Sequence, residues 1–186
     1  MLPWQGKSTI SMGLVSYSSF TLHCRIPSWT SSTTIRINHQ PFALLSSTPD
    51  IPQSTFTPTP ASGFDPSLAR FFPVKRIWSP GDVVELDFDL PILVRHASSR
   101  IRGHKNKVAI TRGPLVYCLE NIDNPDIDIF KARIDSASIW AEFSPALLGG
   151  VWLLRGITKN GEGFSMIPYH LWANRGESQM AVWINA

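Results

Sequence analysis

The chain has 186 residues, of which 43% are hydrophobic and 17% are charged, so it carries enough apolar material for one sizeable core or two small ones. Its formal charge of +3 comes from 17 basic and 14 acidic residues, and the pI is near 9.1. Because the basic residues are scattered and form no stripe that could follow phosphates, nucleic acid is not an expected partner. No apolar run is long enough to span a membrane and no secretion signal is recognisable, so we expect no membrane association and, by default, a cytoplasmic location.

Short segments that alternate apolar and polar residues predict an all-β fold. In Phe20–Ile26 every second residue is apolar, which points Cys24 inward, and Pro27 ends the strand. In Val83–Leu90 the apolar residues share one side and three carboxylates share the other. The remaining strand candidates are Thr34–Asn38, Lys107–Thr111, Leu115–Glu120, Val151–Leu154 and Met180–Ile184. Because helical periodicity is hard to find, these strands predict an antiparallel, jelly-roll-like β-sandwich with a second, smaller β unit.

Two segments interrupt this pattern. Residues 39–76 contain seven prolines among many serines and threonines, and because proline cannot donate a ladder hydrogen bond, they predict a long loop. Residues 121–130 are rich in Asp, Asn and Pro, which is typical of a domain junction. We therefore expect a sandwich domain over residues 1–121 and a smaller β domain, which need not be complete, over residues 122–186.

The acidic residues offer no clear pair of the kind a glycosidase places on either side of a sugar. Three carboxylates on the polar side of one strand are typical of a solvated sheet face: Glu85, Asp87 and Asp89. Glu120 ends a hydrophobic strand without a carboxylate partner that the sequence identifies. Three more suit a turn or a weak cation loop, but lack the glycine and terminal glutamate of a calcium-binding loop: Asp123, Asp126 and Asp128.

Residue types that bind metals or act as nucleophiles are present without a recognised spacing. Cys24 and Cys118 are either buried thiols or one disulfide. Gly149-Gly150 and Gly161–Gly163 indicate turns rather than phosphate-binding loops, because neither segment opens a helix. Five histidines favour surface or core packing: His23, His39, His96, His104 and His170. We therefore predict no catalytic, cofactor-binding or metal-binding residue in this chain.

Seven tryptophans give the one hint of ligand binding, because indole rings stack on the apolar faces of sugars. Most of them flank or lie in strands, where a large ring usually fills a core or caps its end: Trp4, Trp29, Trp78, Trp140, Trp152, Trp172 and Trp183. An exposed set would instead indicate a carbohydrate-binding module, in which Tyr169 and Trp172 lie beside Asn174 and Arg175.

Several motifs, in one order and spacing over nearly the whole chain, carry a family resemblance. The most specific combination is RGPLVYCLE (residues 112–120) with IPYHLWANRG (residues 167–176). The others are Pro3-Trp4-x-Gly6, FTLHCRIPSW (20–29), IRIN (35–38), WSPGDVVELDFDLPILVR (78–95), KVAIT (107–111), LLGG (147–150) and MAVWI (180–184). Together they resemble the C-terminal region of glycoside hydrolase family 127, the β-L-arabinofuranosidase-like family, and especially its fungal members.

The resemblance implies an N-terminal (α/α)6 barrel with the active site, followed by β-sandwich domains. In that family the barrel holds a zinc-bound cysteine nucleophile, a glutamate acid/base and a Cys-Cys pair, all upstream of the Pro-Trp-x-Gly segment. Cys24 and Cys118 match none of these positions, so no catalytic residue is carried over and zinc is expected only in the barrel.

We therefore expect a non-catalytic accessory region of an enzyme that hydrolyses non-reducing-end β-L-arabinofuranosides. Its expected partner is the barrel, and homodimer contacts and carbohydrate are further partners left open. A surface that packs on the barrel should expose an apolar patch in the isolated chain. The alternatives are a stand-alone carbohydrate-binding module and an independent small hydrolase, which would lack a paired acid/base and nucleophile.

Overall fold

The computed structural model describes residues 2–46, 70–98 and 100–186, and their regular structure consists of β-strands and short 3-10 helices. The predicted all-β, antiparallel fold is confirmed. The strands are β1 (Lys7–Ser11), β2 (Ser18–Ile26), β3 (Ser32–Ile37), β4 (Gln40–Ser46), β5 (Arg70–Trp78), β6 (Val83–Phe88), β7 (Ile92–His96), β8 (Lys107–Arg112), β9 (Leu115–Glu120), β10 (Trp140–Ser144), β11 (Val151–Ile157), β12 (Gly163–Pro168), β13 (Met180–Ala181) and β14 (Ile184–Asn185). The 3-10 helices are Arg102–His104, Asn121–Asp123, Ser136–Ser138 and Tyr169–Leu171. No helix in the described ranges is long and apolar enough to cross a membrane.

The chain divides into two compact units, which we call unit 1 (Met1–Pro91) and unit 2 (Ile92–Ala186). The division precedes the boundary predicted after residue 121. The reason is that β9, which ends at Glu120, pairs with β12 and β13 from beyond that boundary, and β8 pairs with β14. Strands on both sides of residue 121 thus share one sheet, and the second unit occupies about half of the chain.

Unit 1 is a sandwich of a four-stranded sheet, in the order β1-β6-β3-β4, and a two-stranded ribbon of β2 and β5. The ribbon pairs from Ser18 opposite Trp78 to Ile26 opposite Arg70. Both layers contribute buried side chains to one core, and Cys24 points inward as predicted. The fully buried Trp78 ring lies in this core and stacks on Phe20, with ring centroids 5.7 Å apart.

Strands β4 and β5 lie inside the segment that we predicted to be a loop, so that prediction was wrong for residues 40–46 and 70–76. Among the described residues, each of these strands has a side without a ladder partner, because β4 is the last strand of its sheet and β5 belongs to a two-stranded ribbon. A proline is tolerated at such a side, where its missing N–H is not needed. Pro41 also pairs beside a β-bulge at Ile35 and Arg36. Residues 47–69 of the predicted loop lie outside the described residues.

Unit 2 is built on one eight-stranded sheet with apolar clusters on both of its faces. The strand path is β10-β11-β12-β9-β8-β14, with β13 paired to β9 and β7 paired to β8. Along β9, Tyr117 and Leu119 join the larger cluster, and Cys118 joins the smaller one. Strand β9 is therefore covered on both faces, and it ends at the buried carboxylate of Glu120.

Candidate functional site

The outward carboxylates of β6 face basic side chains of β1, of β3 and of the turn between β3 and β4. Glu85 lies 3.0 Å from the Nδ1 atom of His39, and Asp87 lies 2.5 Å from Arg36 and 4.0 Å from Lys7. These groups line a shallow polar groove on the sheet surface, as expected of a solvated face. Each carboxylate is engaged by its own partner, so Glu85 and Asp87 are not poised on either side of a substrate.

Asp89 has a separate structural role, because it closes the turn that leads into β3. Its carboxylate accepts hydrogen bonds from the backbone N–H groups of Ser31 and Ser32, both at 2.8 Å, and from the hydroxyls of Thr30 and Ser31. Partial burial raises the pKa of Asp89, but these hydrogen bonds outweigh burial and hold the pKa below its usual value.

The Asp89→Asn variant is expected to lower the free energy of unfolding by about 1–3 kcal/mol at pH 7, because an amide is a weaker acceptor for these donors. The folded pKa lies below the unfolded value, so the carboxylate stabilises the fold above about pH 4 and loses this effect as the pH falls through the folded pKa. Urea unfolding at several pH values should show that the free energies of unfolding of the parent chain and of Asp89→Asn become equal in acid. A pH-independent difference would contradict this role, and Asp126→Asn at an exposed carboxylate is the matched control.

Glu120, Asp123 and Arg175 form an ionic cluster, which we call the β9 anchor. Arg175 donates to Glu120 at 2.5 Å and to both oxygens of Asp123 at 2.6 Å. The second oxygen of Glu120 accepts from the backbone N–H of Ala173 at 2.9 Å. The Glu120 side chain is 1% exposed and the Arg175 side chain is 18% exposed. The hydrogen bond to Asp123 is the largest cause that raises the pKa of Arg175 above its usual value.

The β9 anchor holds the segment after β12 against the end of β9. Arg175 and Ala173 belong to that segment, and Ser178 and Gln179 continue the attachment by donating to the side-chain oxygen of Asn121 at 2.8 and 2.9 Å. A general acid must transfer a proton to a sugar, whereas both carboxylates of the anchor face one guanidinium. The geometry therefore favours structural support over acid–base chemistry.

The loop carboxylates predicted for a turn or a weak cation site do not act together. Asp123 binds Arg175, whereas Asp128 pairs with Lys131 at 2.8 Å and accepts from the Phe130 N–H. Within the ranges that the structure describes, no three His, Cys, Asp or Glu side chains are grouped as a metal site would require. The histidines lie apart: His39 pairs with Glu85, and His104 packs edge-on against Trp183.

The two cysteines are free, buried thiols, Cys24 in unit 1 and Cys118 in unit 2, which decides between the two predicted states. Burial raises the pKa of Cys24. Burial, followed by the charges of Glu120 and Asp123, raises the pKa of Cys118 to about 12.

We expect both thiols of the folded protein to react with Ellman's reagent at pH 8 at least about a hundredfold more slowly than in the unfolded chain, because thiolate and access are both lacking. When the chain is unfolded in urea without reductant, two thiols per chain should react with the reagent. Rapid labelling of the folded chain, or fewer than two equivalents on unfolding, would contradict the observed state.

The aromatic residues include both buried and exposed rings. Trp78 is buried, and Trp152 lies under Arg112, whose guanidinium carbon is 4.6 Å from the ring centroid. Tyr169 and Trp172 are exposed, as a sugar platform would require. The polar partners of that platform are engaged elsewhere, however. Arg175 belongs to the β9 anchor and Asn174 donates to the Leu171 carbonyl at 3.1 Å, so a carbohydrate-binding module is not favoured.

Sequence reasoning missed the β9 anchor, although it noted all three residues separately. Glu120 and Arg175 are 55 positions apart, so local spacing carries no sign of their contact. The available signal was a glutamate at the end of a fully apolar strand. Such a carboxylate requires a cation or several donors when it is buried.

Comparison with known proteins shows the same architecture in longer proteins. A family model described as the glycoside hydrolase family 127 C-terminal domain matches residues 92–185. The non-reducing end β-L-arabinofuranosidase of Bifidobacterium longum subsp. longum is 29% identical over 97% of this chain and 28% of its own length. A crystal structure of a family 127 β-L-arabinofuranosidase from Geobacillus stearothermophilus T6 matches 99% of this chain with 29% of its own, at 30% identity and a TM-score of 0.75. A structure named as a glycoside hydrolase gives 25% identity and a TM-score of 0.76, over 99% of this chain and 31% of its own. The chain thus spans less than a third of the length of these relatives.

Proposed function

Because the chain belongs to glycoside hydrolase family 127, we propose that it is the non-catalytic C-terminal β-sandwich region of a longer enzyme of that family. The proposed parent activity is the hydrolysis of non-reducing-end β-L-arabinofuranosides, and the proposed role of the chain is to support the catalytic (α/α)6 barrel. The observation that carries this proposal is coverage: 97% of the chain aligns with only 28% of the Bifidobacterium longum enzyme.

The engaged carboxylates support the proposal. In the β9 anchor and on the outer face of β6, Glu120, Asp123, Glu85 and Asp87 are internal partners of basic side chains. The zinc that the family resemblance implies would then belong to the barrel. Side chains of this chain do not fit such a site, because in its described part no suitable group of His, Cys, Asp or Glu comes together. Homodimer contacts remain a further part of the proposal.

Two assays test the proposal. The purified chain should not hydrolyse p-nitrophenyl β-L-arabinofuranoside, and a rate that rises in proportion to its concentration, after removal of contaminating glycosidase, would overturn a non-catalytic role. In the second assay, the matching segment of the Bifidobacterium longum enzyme is deleted and then replaced by this chain. Deletion should lower activity and thermal stability, and replacement should restore at least part of both.

A further inference from the structure

The outer face of the β2–β5 ribbon, which we call the ribbon face, differs from an ordinary solvated sheet surface. Alternation places Val74 and Trp78 in the core, so Phe71 and Ile77 point the other way and are 62% and 63% exposed. Arg25 lies opposite Phe71 and His23 lies opposite Pro73, while Lys75 is also exposed. The ribbon face thus combines large apolar side chains with basic ones.

The other outer face of unit 1 provides a direct comparison. There the cations Lys7 and Arg36 pair with Asp87, and His39 pairs with Glu85. On the ribbon face, no outward position of β2 or β5 carries a carboxylate. Neither Arg25 nor Lys75 has an ion pair with a described residue. Exposed apolar side chains occur on both outer faces, since Leu44 of β4 is 61% exposed, but only the ribbon face leaves positive charge beside them without carboxylates of its own.

This chemistry limits what can cover the ribbon face. Burial of Phe71 and Ile77 requires an apolar surface, and burial near Arg25 and Lys75 requires carboxylates on the partner. A second copy of the same face does not supply them, because two ribbon faces in contact would bring like charges together. The suitable occupant is therefore a different protein surface that is apolar and acidic.

We propose that the ribbon face is the surface on which this chain docks onto the catalytic part of its parent enzyme, with carboxylates of that part opposite Arg25 and Lys75. This inference rests on the proposed function and adds the face and the chemistry of its partner. The relatives are long enough to contain such a partner, because more than two thirds of each lies outside the segment that matches this chain.

Hydroxyl-radical footprinting tests the docking directly in the Bifidobacterium longum enzyme whose matching segment has been replaced by this chain. Oxidation of Phe71 should fall at least fivefold relative to the isolated chain, whereas Leu44, which is 61% exposed on β4, should be oxidised equally in both. An active chimera with Phe71 still fully reactive overturns the docking face and leaves the proposed function intact. An inactive chimera that is no more stable than the deletion overturns both. Protection of Phe71 in the isolated chain that rises with concentration assigns the face to a second copy and also overturns the proposal.

A pair of matched substitutions provides the second test. Ile77→Asp in the chimera should shorten the half-life of activity at elevated temperature at least tenfold, because it places a carboxylate against an acidic partner. Leu44→Asp, at a strand position of nearly equal exposure, should change the half-life less than twofold. In the isolated chain, the two substitutions should shift the midpoint temperature of unfolding by the same amount. Equal effects of the two variants on the chimera would overturn the docking face.

Discussion

Replacing Arg175 with methionine is expected to destabilise unit 2 by about 3–5 kcal/mol, which is the usual cost of removing one partner from a buried ion pair. The variant leaves the carboxylate of Glu120, 1% exposed, with the Ala173 N–H as its remaining donor in the β9 anchor. It also detaches Asp123, which receives two hydrogen bonds from the same guanidinium. Urea unfolding combined with hydrogen exchange of residues 115–120 measures the loss.

Arg155→Met is the matched control for this experiment. Arg155 pairs with Glu142 at 2.9 Å on the same sheet, but the two side chains are 39% and 45% exposed, so the expected cost is about 0.2–1 kcal/mol. The double variant Arg175→Met/Glu120→Gln should be more stable than Arg175→Met alone, because it removes the uncompensated charge. The β9 anchor would have no such role if Arg175→Met cost no more than Arg155→Met.

Trp78→Ala is expected to cost unit 1 about 3–5 kcal/mol, because it removes a fully buried ring from the contact between the two layers of the sandwich. The ring stacks on Phe20, lies 5.2 Å from the guanidinium carbon of Arg76, and donates its Nε1–H to the Phe20 carbonyl at 3.2 Å. Hydrogen exchange of β5 and β6 should report the loss, and so should urea unfolding followed by circular dichroism.

Trp78→Phe keeps the measurement possible if the alanine variant does not fold. It preserves much of the packing but removes the N–H donor, and an expected cost of about 1–3 kcal/mol follows. Trp140→Ala is the control at an exposed tryptophan, where less than about 1 kcal/mol is expected. A similar cost for Trp78→Ala and Trp140→Ala would show that the buried ring does not hold the sandwich together.

Strands with an alternating or a continuous apolar pattern could be predicted from the sequence. Leu115–Glu120 coincides with β9, and Val83–Leu90 differs from β6 only at its end. In β6 the pattern reflects a core that removes every second side chain from water, whereas β9 is covered on both faces and is a nearly continuous apolar run. The family could also be inferred from the motifs, whereas the fungal type stays a prediction.

Features set by distant contacts could not be predicted. The segment Met180–Ile184 was expected to form one strand, but it forms β13 and β14, which pair with β9 and β8 respectively. That change of partner depends on the sheet that receives it. The prolines of β4 and β5 predict a loop, because sequence does not show which strands keep a free side. The β9 anchor likewise joins positions more than fifty residues apart.

The pairing of β14 with β8 has a consequence for the order in which the protein folds during synthesis. Ile184 lies opposite Val108 and is buried in the main cluster of unit 2, whereas strands β1 to β6 all precede residue 89. On the ribosome, unit 1 can complete its pairing early, and unit 2 must wait until Ile184 has left the exit tunnel. In that interval the β8–β9 hairpin carries apolar residues without their final cover, so this is the stage at which chaperones or aggregation would act on the nascent chain.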